Sequence, residues 1–420
     1  MLTFRKLLTL DEARRIISQN FQARPPQIEE VGLLKAYRRV LAEDVVAMLD
    51  IPPFNRSTVD GYALRAQNSY GAEENKPRKL KVVGRVSAGE MPKVAVKDGL
   101  AVEVATGAPI PDGADAVLMV EHTERKAGNL LVYAAVGKNE NVMKAGSDVA
   151  RDETVLRAGQ VLGSREIGVL AALGKSAVKV FAVPRIVVFS TGTEIMEPGK
   201  KLLPARIYDI NAYSLYAAVL ESGAEPVCMG VFPDDTAQIL KALGEGLASA
   251  DLVLTSGGVS VGPRDFMPEA LETLGKPGVI VHGVAIKPGK PVTVASVNGK
   301  FVFSLPGHPT SALLVFHLLV RPVIERMAGR EPDRALCVEA AAARRMFPAK
   351  GRRTFVMVKV KGNRLGRLVA EPVETGESGA ITTFASADGY VEIGENLQFV
   401  DENERVIVHL FRNLDCSGWF

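Results

Sequence analysis

The hydrophobic pattern of this chain changes character along its length. Leu10, Ala13, Ile16 and Ile17 fall on one helical face, and Thr9 and Glu12 have capping-box spacing, so the pattern predicts a helix over about residues 10–20. Pro25-Pro26 ends that region, and a second helical stretch is expected in the low thirties. From Pro52 to about residue 150 the runs shorten and turn β-rich (Leu80 to Val86, Ala116 to Val120, Leu130 to Val136), punctuated by Gly and Pro, as in a small all-β domain. Ser164 then opens an apolar helical period through Ile167, Leu170 and Ala171, so the β region reads as an insertion between two pieces of one helical domain.

From Pro184 the pattern alternates strand, loop and helix. Strands are predicted at Arg185 to Phe189, Pro226 to Phe232 and Leu252 to Thr255, and a hairpin at Val292 to Ser304 around Asn298-Gly299. Helices are expected over 212–222 with Asn211 as cap and Gly223 as stop, after Asp234 or Asp235, after Asp265, and from Pro309 to Met327. Such alternation argues for an α/β layer fold with a largely parallel sheet. From about residue 331 strands dominate again, at Thr354 to Val360, Arg367 to Pro372, Tyr390 to Ile393 and Arg405 to Leu410. The expected architecture is therefore α/β and multidomain: residues 1–50 with 151–183, an inserted β domain over 51–150, an α/β domain over 184–330 and a β-rich unit over 331–420.

Composition narrows the class. At 420 residues, 47% hydrophobic and 24% charged, the chain is globular and neither disordered nor fibrous. With 51 basic and 48 acidic residues the net charge of +3 gives no bulk attraction for nucleic acid. Cys228, Cys337 and Cys416 are far apart and form no CxxC pair, which excludes a zinc ribbon or thioredoxin-type site and suits a reducing compartment. The start is interrupted by Arg5, Lys6, Asp11 and Glu12, unlike a secretory signal. The longest apolar run, Ala312 to Val320, is about half a membrane span. The expectation is a cytoplasmic protein with no membrane role.

Loops of the α/β region carry the candidate chemistry. TSGGVSVGPRDF (Thr255 to Phe266) follows a strand, where ligands bind in such sheets, and Gly257 and Gly258 let backbone approach a ligand. Asp265 is placed either to cap the next helix or to hold a metal. KPGKP (Lys287 to Pro291) fixes two ammonium groups on a stiff turn, suited to phosphate or another oxyanion. LPGHPTSA (Leu305 to Ala312) enters a helix N-terminus, which attracts anions. STGTEI (Ser190 to Ile195) carries Glu194, and Asp234-Asp235 and Tyr208-Asp209-Ile210-Asn211 precede helices. Neither a P-loop nor a GxGxxG fingerprint is present. Carboxylates and lysines in one cleft imply a divalent cation and a phosphorylated ligand.

Together with PPFNRSTVDGYAL (Pro52 to Leu64) and ATGAPIPDGADAV (Ala105 to Val117), these segments stand in the order found in the MoeA family, which the chain resembles over nearly its whole length. The family comprises molybdopterin molybdenumtransferases related to the E domains of gephyrin and plant Cnx proteins. The resemblance implies an elongated four-domain homodimer with a discontinuous helical N-terminal domain, an inserted β domain, a MogA/MoaB-like α/β domain and a C-terminal β-barrel. It implies insertion of molybdenum from molybdate into adenylylated molybdopterin, with magnesium and release of AMP. A molybdopterin adenylyltransferase and molybdoenzymes would be the partners.

Carried over motif by motif, Asp60 and Thr106 would face the cleft, from the partner subunit. Asp265, with Glu194 and Asp234, would hold magnesium and serve catalysis. Gly257, Gly258, Ser260, Pro306 and Gly307 would line the pterin and phosphate pocket, Lys287 and Lys290 would neutralise phosphate or molybdate, and Arg353 and Thr383 would help hold molybdate. Two positions depart from the family's usual motifs: Thr193 stands where an acid is common, and His308 interrupts a PGNP-type loop. A tungstate-specific paralogue or a non-catalytic scaffold dimer are the competing readings.

Overall fold

The computed structural model describes residues 7–21, 27–258, 267–330, 336–362, 367–373 and 381–411. The chain divides into two compact units, one comprising Met1–Glu29, Arg38–Val40 and Phe181–Phe420 and the other Glu30–Tyr37 and Leu41–Val180. Helix α1 (Leu10–Asn20) starts as its capping box dictates. The Thr9 hydroxyl accepts from the Glu12 N–H at 3.2 Å, and the Glu12 carboxylate accepts from the Thr9 N–H at 2.8 Å. Its apolar face, Leu10, Ala13 and Ile17, is buried in the first unit's core. The stretch expected to be helical in the low thirties is instead a strand, Ile28–Gly32, followed by a single 3-10 turn, Leu33–Lys35. The Leu33 N–H donates to the Ser176 carbonyl, so backbone pairing takes the bonds a helix would have used.

The second unit carries a six-stranded sheet of β1 (Gly61–Leu64), β2 (Arg78–Val86), β3 (Leu100–Val104), β4 (Ala116–Met119), β5 (Thr123–Lys126) and β6 (Asn129–Val132), in the order β4-β1-β3-β2-β6-β5. The glycine of the Asp60-Gly61 pair begins strand β1 rather than sitting in a plain turn. A Cβ there would lie 2.0 Å from the Leu118 carbonyl oxygen, so the neighbouring strand requires glycine. Helix α2 (Ser164–Ala172) follows, its Gly163 N–H held by the Glu166 carboxylate at 2.9 Å.

The first unit is built on a second six-stranded sheet. Its strands are β7 (Arg185–Thr191), β8 (Glu225–Phe232), β9 (Leu252–Ser256), β10 (Pro277–His282), β11 (Thr293–Val297) and β12 (Lys300–Leu305), in the order β8-β7-β9-β12-β11-β10. The first four of that order are parallel and the last two pair antiparallel. Helices α3 (Asn211–Glu221), α4 (Thr236–Ser249) and α5 (Met267–Leu274) alternate with these strands. Strand β7 shows why the run is apolar throughout: Ile186 and Val188 enter one core cluster and Val187 and Phe189 another, so both faces are covered. The Asn298-Gly299 hairpin has φ of 52° and 82°, the double left-handed turn its sequence demands.

The long apolar segment after β12 forms α6 (Pro309–Val315), a π turn over Phe316–Val320, and α7 (Arg321–Met327). Pro322 has no N–H for the Leu318 carbonyl, which instead accepts from Arg14 Nε at 3.4 Å, and this lost bond accounts for the π turn. The His317 ring packs against Phe384 and Phe411; burial and nearby Arg321 hold its imidazole down, at about 4. Beyond it, β13 (Cys337–Ala342), β14 (Arg353–Gly362), β15 (Leu368–Pro372), β16 (Gly389–Ile393) and β17 (Arg405–Leu410) close into a five-stranded barrel, β14 pairing with both β15 and β16. The short helix α8 (Ile381–Ser386) precedes β16.

Candidate functional site at the carboxyl ends of the α/β strands

In the parallel strands β7, β9 and β12 an apolar run (Ile186 to Phe189, Leu252 to Leu254, Phe301 to Phe303) gives way near the carboxyl end to Ser190-Thr191, Thr255-Ser256 and Ser304. Those polar ends are buried and knit the loops that follow. The Thr255 hydroxyl donates to Ser304 Oγ at 2.9 Å, and the Ser256 hydroxyl donates to the Pro306 carbonyl at 3.2 Å. The Gly257 N–H donates to the Leu305 carbonyl at 3.2 Å. Gly257 has φ of +95°, and a Cβ there would lie 2.3 Å from the Thr191 carbonyl oxygen. Only glycine permits β7 and the β9 loop to approach so closely. Gly307 lies on the other side, where its Cβ would stand 3.9 Å from Gly257 Cα.

The entry to α3 completes this knot in a way the sequence did not announce. Asn211 was expected to cap the helix, but its amide nitrogen donates to Ser256 Oγ at 2.7 Å and to the Gly307 carbonyl at 2.7 Å. The cap is Asp209, whose Oδ1 accepts from the Ala212 N–H at 3.0 Å and from the Ser190 hydroxyl at 2.9 Å. Helix α4 shows the simple case: Asp235, not Asp234, caps it by accepting from the Gln238 N–H at 2.9 Å.

The other expected residues fall in several places. Gly257, Pro306 and Gly307 meet in the knot just described, and Gly258, with φ of +69°, adjoins it. Ser260 and Asp265 lie outside the described residues. Glu194 and Asp234 are exposed, and the Glu194 carboxylate lies against Gly192. In the KPGKP loop, Lys287 is exposed and Lys290 half-buried. Gly289 seats that loop against α6, a Cβ there meeting Val315 at 2.6 Å. Asp60 and Thr106 are joined within the second unit: the Thr106 N–H and hydroxyl donate to Asp60 Oδ1 at 2.8 and 3.1 Å. Arg353 is engaged by three carboxylates, Asp11 at 2.8 Å and Glu392 and Glu395 at 3.2 Å each. Thr383 is buried on α8.

Residues that sequence reasoning passed over as ligand contacts are Thr191, Asp209 and Asn211. Each is more than nine-tenths buried and keeps one polar atom without a partner among the described residues: Thr191 Oγ1, Asp209 Oδ2 and Asn211 Oδ1. The available signal was a polar residue, Thr191, ending the apolar run of β7, and two more, Asp209 and Asn211, at the entry to α3.

A largely parallel α/β sheet with glycine-rich loops at its carboxyl edge is the arrangement in which α/β domains bind ligands. Three family models match the chain in order: the MoeA N-terminal region (domains I and II) over residues 8–174, a "Probable molybdopterin binding domain" over 187–326, and the MoeA C-terminal region (domain IV) over 339–411. A molybdopterin molybdenumtransferase of Bacillus subtilis is 31% identical over 423 residues, covering 100% of this chain and 97% of that protein. One from Haemophilus influenzae is 32% identical over 410 residues, covering 97% of this chain and 100% of that protein. The solved molybdopterin biosynthesis MoeA protein of Pyrococcus horikoshii has a TM-score of 0.83 at 32% identity, covering 97% of this chain and all of that one. This chain belongs to the MoeA family.

Proposed function

We propose that this chain is a molybdopterin molybdenumtransferase: it inserts molybdenum from molybdate into adenylylated molybdopterin in molybdenum cofactor biosynthesis and releases AMP. The observation that carries this reading is the buried polar knot at the carboxyl edge of β7, β9 and β12, which lies within the stretch matched by the molybdopterin-binding family. Full-length similarity to proteins named for that activity supports it.

In this reading Gly257, Gly258 and Gly307 admit the ligand to the backbone, with Pro306 beside them, and Ser260 is assigned to the same ligand. Lys287 and Lys290 offset the charge of molybdate and phosphate, so holding the oxyanion beside the dithiolene supplies much of the rate. Arg353 and Thr383 remain part of the proposed molybdate set. Asp60 and Thr106 form one hydrogen-bonded pair, offered to the cleft of the partner in a homodimer.

Magnesium belongs to the proposal through Asp265, Glu194 and Asp234. Among the described residues no three His, Cys, Asp or Glu side chains gather closely enough to hold an ion, and Asp265 lies outside them. When bound, such an ion would offset charge on the phosphoanhydride. No helix among the described residues is long and apolar enough to cross a membrane, and a cytoplasmic location is part of the proposal. The division into 1–50 with 151–183, 51–150, 184–330 and 331–420 is proposed on the same footing.

The test is reconstitution with purified full-length protein, adenylylated molybdopterin, magnesium and molybdate, following AMP and active cofactor together. Coupled formation of both, lost in Asp265→Ala, is expected. AMP release with tungstate alone would move the assignment to the tungsten paralogue, and no turnover with either oxyanion would overturn the enzymatic reading.

A further inference from the structure

Four buried side-chain polar atoms lack a partner among the described residues, and three of them, Thr191 Oγ1, Asp209 Oδ2 and Asn211 Oδ1, belong to the knot at the carboxyl edge of the α/β sheet. The fourth, on Asn68, lies in the other unit. Exposure is 3% for Thr191 and Asp209 and 7% for Asn211. Buried polar groups in folded proteins are almost always bonded, so a cluster of exceptions needs a cause.

Folding is not that cause. Asp209 satisfies the cap and Ser190 with Oδ1 alone, and Asn211 bridges Ser256 and Gly307 with its nitrogen alone. The second heteroatom of each is surplus to the scaffold. The surplus atoms also share a polarity. A carboxylate oxygen and an amide oxygen are acceptors only, and the threonine hydroxyl serves either way. An oxyanion would be repelled here, so phosphate and molybdate belong at the lysine loop instead. The complement must present N–H or O–H donors.

We infer that Asp209, Asn211 and Thr191 form an acceptor site for the donor edge of the substrate's pterin, its 2-amino group and adjacent ring N–H. This rests on the proposed function for the identity of the substrate, and it adds which end of that substrate enters this part of the site. The phosphate, the dithiolene and the oxyanion are acceptors or anions; the ribose hydroxyls and the adenine amino group also donate, but the pterin's 2-amino group and adjacent ring N–H present their donors side by side in one rigid plane, as a fixed set of buried acceptors requires.

The test compares two fluorescent probes with the purified full-length protein: a 6-substituted pterin and the matching lumazine, which carries a 2-oxo group in place of the 2-amino group. The wild type is expected to bind the pterin about 10- to 100-fold more tightly, the range for leaving a buried acceptor unpaired. Asp209→Asn keeps the side chain's shape and the acceptor needed by Ser190 and Ala212 but presents N–H₂ where Oδ2 stands. It is expected to erase or invert the preference with an unchanged unfolding midpoint, a result that loss of packing alone does not produce. Thr191→Val, which leaves the Asp209 contacts intact, is expected to weaken pterin binding severalfold without inverting the preference.

Equal affinity for the two probes, no measurable pterin binding, or an unaltered preference in a folded Asp209→Asn protein would overturn the inference. If Asp209→Asn fails to fold, the wild-type preference and Thr191→Val decide. The two readings fail separately. Normal AMP release without a pterin preference sinks this assignment alone, and a pterin preference without AMP release sinks the insertase reading alone.

Discussion

Replacing Gly257 with alanine tests the central claim that the site depends on a backbone approach only glycine allows. Gly257 sits at φ of +95°, where an L side chain costs about 1–2 kcal/mol. The added methyl would lie 2.3 Å from the Thr191 carbonyl oxygen and 2.9 Å from its hydroxyl, against an ordinary contact of 3.4 Å or more. The loop must therefore retreat from β7 by roughly 1 Å. That movement also strains the Gly257 N–H bond to the Leu305 carbonyl, worth about 1 kcal/mol. A displacement of about 1 Å in a binding loop costs on the order of 100-fold in rate. The assay is kcat/KM for AMP release, with chemical denaturation run in parallel. The expected result is a drop of about two orders of magnitude with about 2–3 kcal/mol of lost stability in the α/β unit. Activity within twofold of the wild type would refute the argument that this contact sets the loop's position.

Two further outcomes follow from the structure. Thr9→Ala removes the capping box of α1 and is expected to cost about 1 kcal/mol, read as a shift in denaturation midpoint; a shift below a few tenths would mean that burial of Leu10, Ala13 and Ile17 alone starts the helix. His317 is held at about 4 instead of 6.5 by burial and Arg321, so the unfolded chain binds its proton first as pH falls. Its contribution is full above pH 6.5 and lost between 6.5 and about 4, by about 3 kcal/mol. His317→Gln should flatten the stability slope in that window relative to the wild type, and parallel curves for the two proteins would refute the buried-neutral assignment.

Local chemistry made much of this protein legible before any coordinates. The Thr9–Glu12 pair, the Asn298-Gly299 hairpin and the strands at Arg185 to Phe189, Pro226 to Phe232 and Leu252 to Thr255 needed only neighbours in sequence, and each stands where its residues placed it. The ordered glycine, lysine and acidic motifs were enough to indicate the family. The low thirties failed because Leu33–Lys35 is too short to be a helix once backbone pairing with Ser176 competes. The π turn was hidden because its cause, Arg14 occupying the carbonyl that Pro322 leaves free, spans more than 300 residues.

The same distinction holds at the site. The sequence by itself determined which residues bring glycine freedom, positive charge and carboxylates to strand ends, since those follow from residue type and strand period. Tertiary structure decided which polar atoms are spent and which are left. Asn211 reads as a helix cap until Ser256 and Gly307, 45 and 96 residues away, take its nitrogen. Asp209 reads as one of several turn acids until Ser190 and Ala212 take one oxygen and burial isolates the other. A side chain's capacity for hydrogen bonds is written in its type, but its remaining capacity is a difference set by partners that only the folded chain brings together.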